Sequence, residues 1–196
     1  MPEENVRVEN TVEYGLKNAS YSKITIGEDG SFTYADPVKM QGSVELSLEP
    51  RGDMIEFYAD DMLYYSAPNN QGYDGTMTIA KIGNQFAQDC LGEKMDEQDF
   101  VLNEIQSAKP SPFALMFEFD GDVKATRHVL YNCTASRPTV ASKTNTDTVE
   151  PNTNELKFVA SPRPSDTYVK TKTTPKTPKD VYDNWYKAVY TKKASA

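Results

Sequence analysis

Chemistry-bearing residues are scarce in this chain of 196 residues: it holds one histidine, two cysteines and one tryptophan. A structural zinc site takes four nitrogen or sulfur ligands. One histidine (His128) and two cysteines fall short of that. Cys90 and Cys133 lie far apart with no CxxC partner. They read as two reduced, mostly buried thiols, not as a disulfide framework. No GxxxxGK[ST], GxGxxG, GxSxG or HExxH motif is present, so none of the corresponding phosphate-binding, nucleophilic or zinc chemistries has its signature. No apolar run approaches the roughly 20 residues that cross a bilayer. The opening MPEENVRVEN has no apolar stretch, so no signal peptide is expected and a cytoplasmic site of synthesis is. Internal tandem repeats are absent.

Positive charge is also in short supply, with a formal net charge of -8. An acid-rich surface does not hold nucleic acid, because phosphate contacts need Lys and Arg. The imbalance is uneven. Residues 165–196 carry seven lysines against three aspartates, so residues 1–164 hold -12. An acidic body with a basic end can pair with copies of itself, although such an end is more often a solvated tail.

What the chain does have is tyrosine (12), phenylalanine (8), threonine, and prolines and glycines spread along its length. That mixture favours pleated strands over long helices. Period-two alternation recurs. In GSVELSLEP, Val44, Leu46 and Leu48 point one way; in GTMTIAKIG, Met77 and Ile79 do; in NELKFVAS, Leu156, Phe158 and Ala160 do. FALMFEF is more continuously apolar, as expected for a central strand covered on both faces. One helix is predicted over 84–91, with Phe86, Cys90 and Leu91 on its buried stripe, Asn84 as N-cap and Gly92 as stop. The terminal KDVYDNWYKAVY fits either a strand or a helix.

Three segments read as excursions. Residues 51–75 form a long inter-strand loop carrying Phe57, Tyr58, Tyr64 and Tyr65, which need something to dock on. Residues 91–112 read as a polar surface hairpin or excursion. Residues 139–155 are rich in threonine and asparagine, and KTKTTPKTP near the end reads as extended or disordered by composition.

FEFDGDVKATRHVLYNC places His128 and Cys133 close to Asp120 and Asp122. Asp-Gly is a strong turn signal, so this is a hairpin: Leu115–Phe119, a turn at 120–122, and Thr126–Cys133. On a regular return strand His128 and Cys133 face opposite sides, and only a bulge would bring them together. No catalytic, metal-binding or cofactor-binding residue is assigned.

Several stretches carry a resemblance that spans roughly residues 12–190: VEYGLKNASYSKIT, ADPVKMQGSVELSLEPRGDMIEFYADDMLYY, NNQGYDGTMTIAKIGNQF, PFALMFEFDGDVKATRHVLYNCTASRP, VEPNTNELKFVASPRPSD and YDNWYKAVY. Together they resemble the major tail protein family of long-tailed, non-contractile phages (siphophages) of Gram-positive hosts. The resemblance implies a mainly β fold, a sandwich or partly rolled barrel of the tail-tube type with one short flanking helix. It implies a domain over 1–164, a loop arm at about 51–75 and a C-terminal extension over 165–196. It also implies a structural virion protein without catalytic activity or cofactor. Copies would close into hexameric rings that stack into a hollow tube for DNA ejection. The implied partners are further copies of the chain, a tape-measure protein, tail terminator and distal tail proteins, and genomic DNA in transit, with no membrane. Assembly would take place in the host cytoplasm.

The expected inter-subunit contacts are Phe57, Tyr58, Tyr64 and Tyr65. Two other readings compete. One is a sugar-binding module using Tyr14, Tyr21, Tyr64, Tyr65 and Tyr73. The other is a hydrolase using Asp60, Asp61, Asp120 or Asp122.

Overall fold

The computed structural model describes residues 9–142, 144 and 151–192. Its strands are β1 (Glu13–Ile26), β2 (Phe32–Tyr34), β3 (Val38–Lys39), β4 (Ser43–Arg51), β5 (Ile55–Ala59), β6 (Met62–Ala67), β7 (Gly72–Ile79), β8 (Lys94–Met95), β9 (Leu102–Asn103), β10 (Phe113–Gly121), β11 (Thr126–Ala135), β12 (Asn154–Ala160) and β13 (Lys170–Lys172). Two helical pieces interrupt them: α1 (Asn84–Phe86), which continues as a π-helical turn over Ala87–Leu91, and α2 (Lys179–Asp183).

One antiparallel sheet runs β2-β1-β10-β11-β12-β7-β4, with β3 beside β1 and β13 beside β11. The sheet is rolled. Tyr21 of β1 and Met77 and Ile79 of β7 sit far apart along the strand order, yet they share one core with Leu115, Leu130, Leu156 and Phe158. Backbone bonds close the seam: Met40 donates to the carbonyl of Ala19 at 2.8 Å, and Ala80 to that of Gly42 at 2.8 Å. The mainly β, partly rolled architecture expected from the sequence is the one present.

The short helix plugs one side of the roll. Phe86 meets Tyr21 edge-on at 4.9 Å and Phe113 at 5.2 Å between ring centroids. Phe86, Cys90 and Leu91 are buried, as the stripe predicted, and Gly92 ends the element in the left-handed region at φ 81°. The N-cap differs from expectation. Gly83 occupies it, and no side chain caps the first turn. The π-helical turn is also unforeseen.

The sequence places Val44 beside Leu46 and Leu48, but Val44 is exposed. The β4–β7 register shifts between Ser43 and Glu45. That irregularity breaks the alternation and turns Val44 outward.

β10 is buried on both faces, as FALMFEF predicted. Phe113, Leu115 and Phe117 enter the rolled core, while Ala114 and Met116 join Val129 and Tyr131 in a second cluster. Trp185 and Val189 cover that second cluster. The segment read from composition as extended or disordered is therefore ordered in part. Lys170–Lys172 pairs with His128, Val129 and Leu130 of β11.

Charge fixes this covering. Buried Glu118 accepts from Arg127 Nε at 2.9 Å and from Asn18 Nδ2 at 2.7 Å. The Arg127 guanidinium lies 3.8 Å from the Tyr182 ring centroid, so a buried ion pair and a cation–π contact hold α2 in place. Residues 91–112 include a β8–β9 hairpin, matching the expected surface excursion.

Trp185 is 3 % exposed and stacks on Tyr190 at 5.4 Å. Replacing it with alanine removes the lid over Met116 and Val129. Trp185→Ala is expected to destabilise the chain by about 3–5 kcal/mol, read as a lower denaturant midpoint in equilibrium unfolding.

Candidate assembly interface

The segment read as a long loop is mostly a β-hairpin. β5 and β6 pair with each other in a separate two-stranded sheet. The loop reading is therefore corrected for residues 55–67. Two features hid the hairpin. Its strands are apolar on both faces, so period two is weak, and its turn is Asp60-Asp61, not the usual Asn-Gly. The available signal was symmetry: two aromatic runs of similar length flank the paired acids.

Both turn residues have positive φ, 53° at Asp60 and 59° at Asp61. That is the pattern of a type I′ turn, whose twist matches paired strands, but side chains other than those of Gly and Asn adopt it at a cost. A bulge between Phe57 and Tyr58 makes Tyr64 and Tyr65 oppose Phe57, and the Phe57 and Tyr64 rings meet edge-on at 6.4 Å. Backbone contacts join the two sides of the arm at its base. Gln71 donates to the Arg51 carbonyl at 2.9 Å. Gly52 has φ 107°, and a Cβ there would sit 2.0 Å from the Asn69 carbonyl oxygen, so the backbone requires glycine at this position.

The four aromatic residues proposed from sequence lie together on this arm and are exposed: Phe57 56 %, Tyr58 63 %, Tyr64 71 % and Tyr65 57 %. Met54, Ile55, Met62 and Leu63 are exposed beside them. A soluble monomer rarely presents an apolar patch of this kind without a use for it. The arm is also acidic, with Asp53, Glu56, Asp60 and Asp61 against Arg51. Among the described residues, β2 and β3 pair only with β1, β4 only with β7 and β13 only with β11, so each leaves one side open for pairing.

The groups considered for chemistry are not assembled into a site. The β10–β11 register shifts between Phe113 and Leu115, so Cys133 shares the rolled core with Leu130. The expected opposition of His128 and Cys133 does not survive this bulge. Even so, no thiol–imidazole pair results. The His128 ring stacks on Phe117 at 5.0 Å and tilts against Phe119 at 5.2 Å, and neither ring nitrogen has a hydrogen-bond partner. Burial, followed by the charge of Lys170, lowers its pKa from 6.5 to about 4. Burial pushes the Cys90 thiol up to about 12 and that of Cys133 up as well, so neither supplies a thiolate near neutral pH.

Asp120 pairs with Lys17, Asp122 accepts from the Thr11 N–H at 2.9 Å, and Asp60 and Asp61 sit at the hairpin tip. Among the described residues no three His, Cys, Asp or Glu side chains converge. The sugar-binding set is dispersed too. Tyr21 is buried and donates to Asp89 at 2.8 Å, and Lys170 caps the Tyr73 ring at 4.5 Å.

No family model and no curated protein matches the chain. Among solved structures, it is similar to the cap of the anti-feeding prophage, a tube-terminating cap, at TM-score 0.47 and 13 % identity over 87 % of this chain and 99 % of that one. It is similar to a chain of the extended PVC sheath–tube complex, an extracellular contractile injection system, at 0.47 and 11 % over 87 % and 98 %. For the PVC sheath/tube terminator the values are 0.44 and 13 % over 84 % and 100 %.

Two outcomes are expected. Asp60→Asn with Asp61→Gly relieves the turn by about 1 kcal/mol, and slower hydrogen exchange of the β5–β6 amides reports it. His128 binds its proton more weakly when folded than when unfolded, so stability is full above pH 6.5 and falls as pH drops toward about 4. The loss is at most about 3 kcal/mol. His128→Phe flattens the fall in melting temperature across that window.

Proposed function

We propose that this chain is a structural tail-tube protein, the major tube subunit of a long-tailed phage, whose copies close into hexameric rings and stack. The observation that carries this reading is the β5–β6 arm, with Phe57, Tyr58, Tyr64 and Tyr65 exposed on a paired hairpin. The resemblance of residues 12–190 to the major tail protein family points the same way. In this reading the four aromatics bury against a neighbouring copy. The open borders of β2 and β4 pair with adjacent subunits, where a head-to-tail contact that closes makes a ring. The acidic body, -12 over residues 1–164, suits a bore that passes DNA without gripping it. No step of catalysis and no cofactor enters this role. A tape-measure protein, terminator and distal tail proteins are its partners, and the virion is its final location.

Magnitudes explain why assembly would be collective. Each half-exposed aromatic has on the order of 100 Å² left to bury, worth about 2–3 kcal/mol. Four of them together give about 10 kcal/mol, comparable to the 4–15 kcal/mol lost on association. One arm contact is therefore weak alone, and several made together in a ring are not.

Deleting residues 54–70 is expected to leave a folded monomer that does not polymerise. Negative-stain microscopy of concentrated intact and deleted protein tests this. Normal tubes from the deleted chain would sink the assignment of the arm.

A further inference from the structure

The β4–β7 ladder has two ends. Arg51 opposite Gly72 marks one, and the hairpin leaves the body there; Ser43 opposite Ile79 marks the other. Eight residues of strand separate them, about 25 Å. A cleft of about 520 Å³ opens at the Ile79 end, between β3 and the start of α1. Tyr21, Val38, Met40, Ile79 and Phe86 contribute its apolar lining. Lys39 and Lys81 also line it, and no carboxylate does. Among the described residues neither lysine is in an ion pair, nor are Asp60 and Asp61.

Hairpin tip and cleft are thus complementary in two respects. The tip offers Tyr58, Met62 and Leu63, all exposed, around two free carboxylates. The cleft offers apolar walls beside two free ammonium groups. Its volume is that of a site for a small organic ligand, so it takes the end of a hairpin and not the whole arm. Because the two features lie at opposite ends of one ladder, a single chain cannot join them. A second copy can, and each copy then presents a fresh tip to the next.

We propose that the Asp60-Asp61 tip of one copy docks in the cleft of the next copy, its carboxylates facing Lys39 and Lys81 and its apolar residues against the cleft wall. The contact is heterologous, and repeating it along the ladder direction builds an open stack. This rests on the tube-subunit reading and names the receiving surface that reading leaves unassigned.

Charge exchange tests it on the full chain. Lys39→Glu with Lys81→Glu, and separately Asp60→Lys with Asp61→Lys, are surface changes whose folding is checked by circular dichroism. Each pair alone places like charges together, and is expected to raise the concentration for half-maximal assembly, measured by sedimentation, by about ten-fold or more. Combining both pairs of changes in one chain restores opposite charges at every tip–cleft contact and is expected to restore assembly. Cleft variants that assemble like the unmodified chain, or paired changes that weaken assembly separately but do not recover when combined in one chain, would overturn the docking. If the cleft variants assemble normally while the 54–70 deletion does not, only the docking fails. If the deletion assembles normally, or the intact chain stays monomeric at the highest concentration reached, the tube-subunit reading fails with it.

Discussion

A strand with apolar residues on both faces must be covered twice, and β10 is that strand. Phe113, Leu115 and Phe117 demand one core and Ala114 and Met116 another. The first demand is met by rolling the sheet, so that β1 and β7 close over the same interior with α1 as a plug. The second is met from the end of the described chain, where Trp185 and Val189 lie across Met116 and Val129. The Glu118–Arg127 pair stands where these two solutions meet. Its carboxylate also accepts from Asn18 of β1, and its guanidinium sits under Tyr182. Removing either charge would leave the other buried without its counter-charge, which is more costly than never having had the pair.

The two cores of the body are covered by this arrangement, and the apolar faces of the arm are not. Nothing within the described residues covers the aromatic faces of β5 and β6. Their turn uses two aspartates in a conformation that glycine or asparagine would hold at lower cost. A feature that is locally suboptimal and globally unpartnered marks a place where folding alone did not choose the residues. In the proposed self-assembly the apolar faces would gain a partner and the carboxylates a counter-charge.

Much of the body was legible because its signals are local. Leu156, Phe158 and Ala160, and likewise Met77 and Ile79, alternate and are buried in that order. Gly92 after a short amphipathic stretch ended the helix where predicted. The β10–β11 hairpin expected from Asp120-Gly121-Asp122 is present, but Asp120 and Gly121 end β10, paired with β1, and the turn runs over residues 122–125. The failures share one cause. Val44, Cys133 and the hairpin within 51–75 each depend on a break in strand alternation, from a bulge or from strands apolar on both sides. Parity arguments assume the regular register that a bulge removes. The C-terminal segment failed differently. Its lysine- and threonine-rich composition reads as solvated, whereas backbone pairing with β11 and one tryptophan are enough to dock it.

Sequence alone determined that the chain is built from strands, that it holds one histidine and two cysteines in no zinc-finger or CxxC pattern, and that Phe57, Tyr58, Tyr64 and Tyr65 fall within one stretch between two strands. Those conclusions rest on composition, period and spacing, which are carried by neighbours along the chain. Only the tertiary structure decided that these aromatics stand exposed on a hairpin, that residues 165–192 cover the second face of the sheet, and that an acidic tip and a lysine-lined cleft lie at opposite ends of one ladder. Such facts depend on contacts between residues remote in sequence, and on the register that brings them face to face.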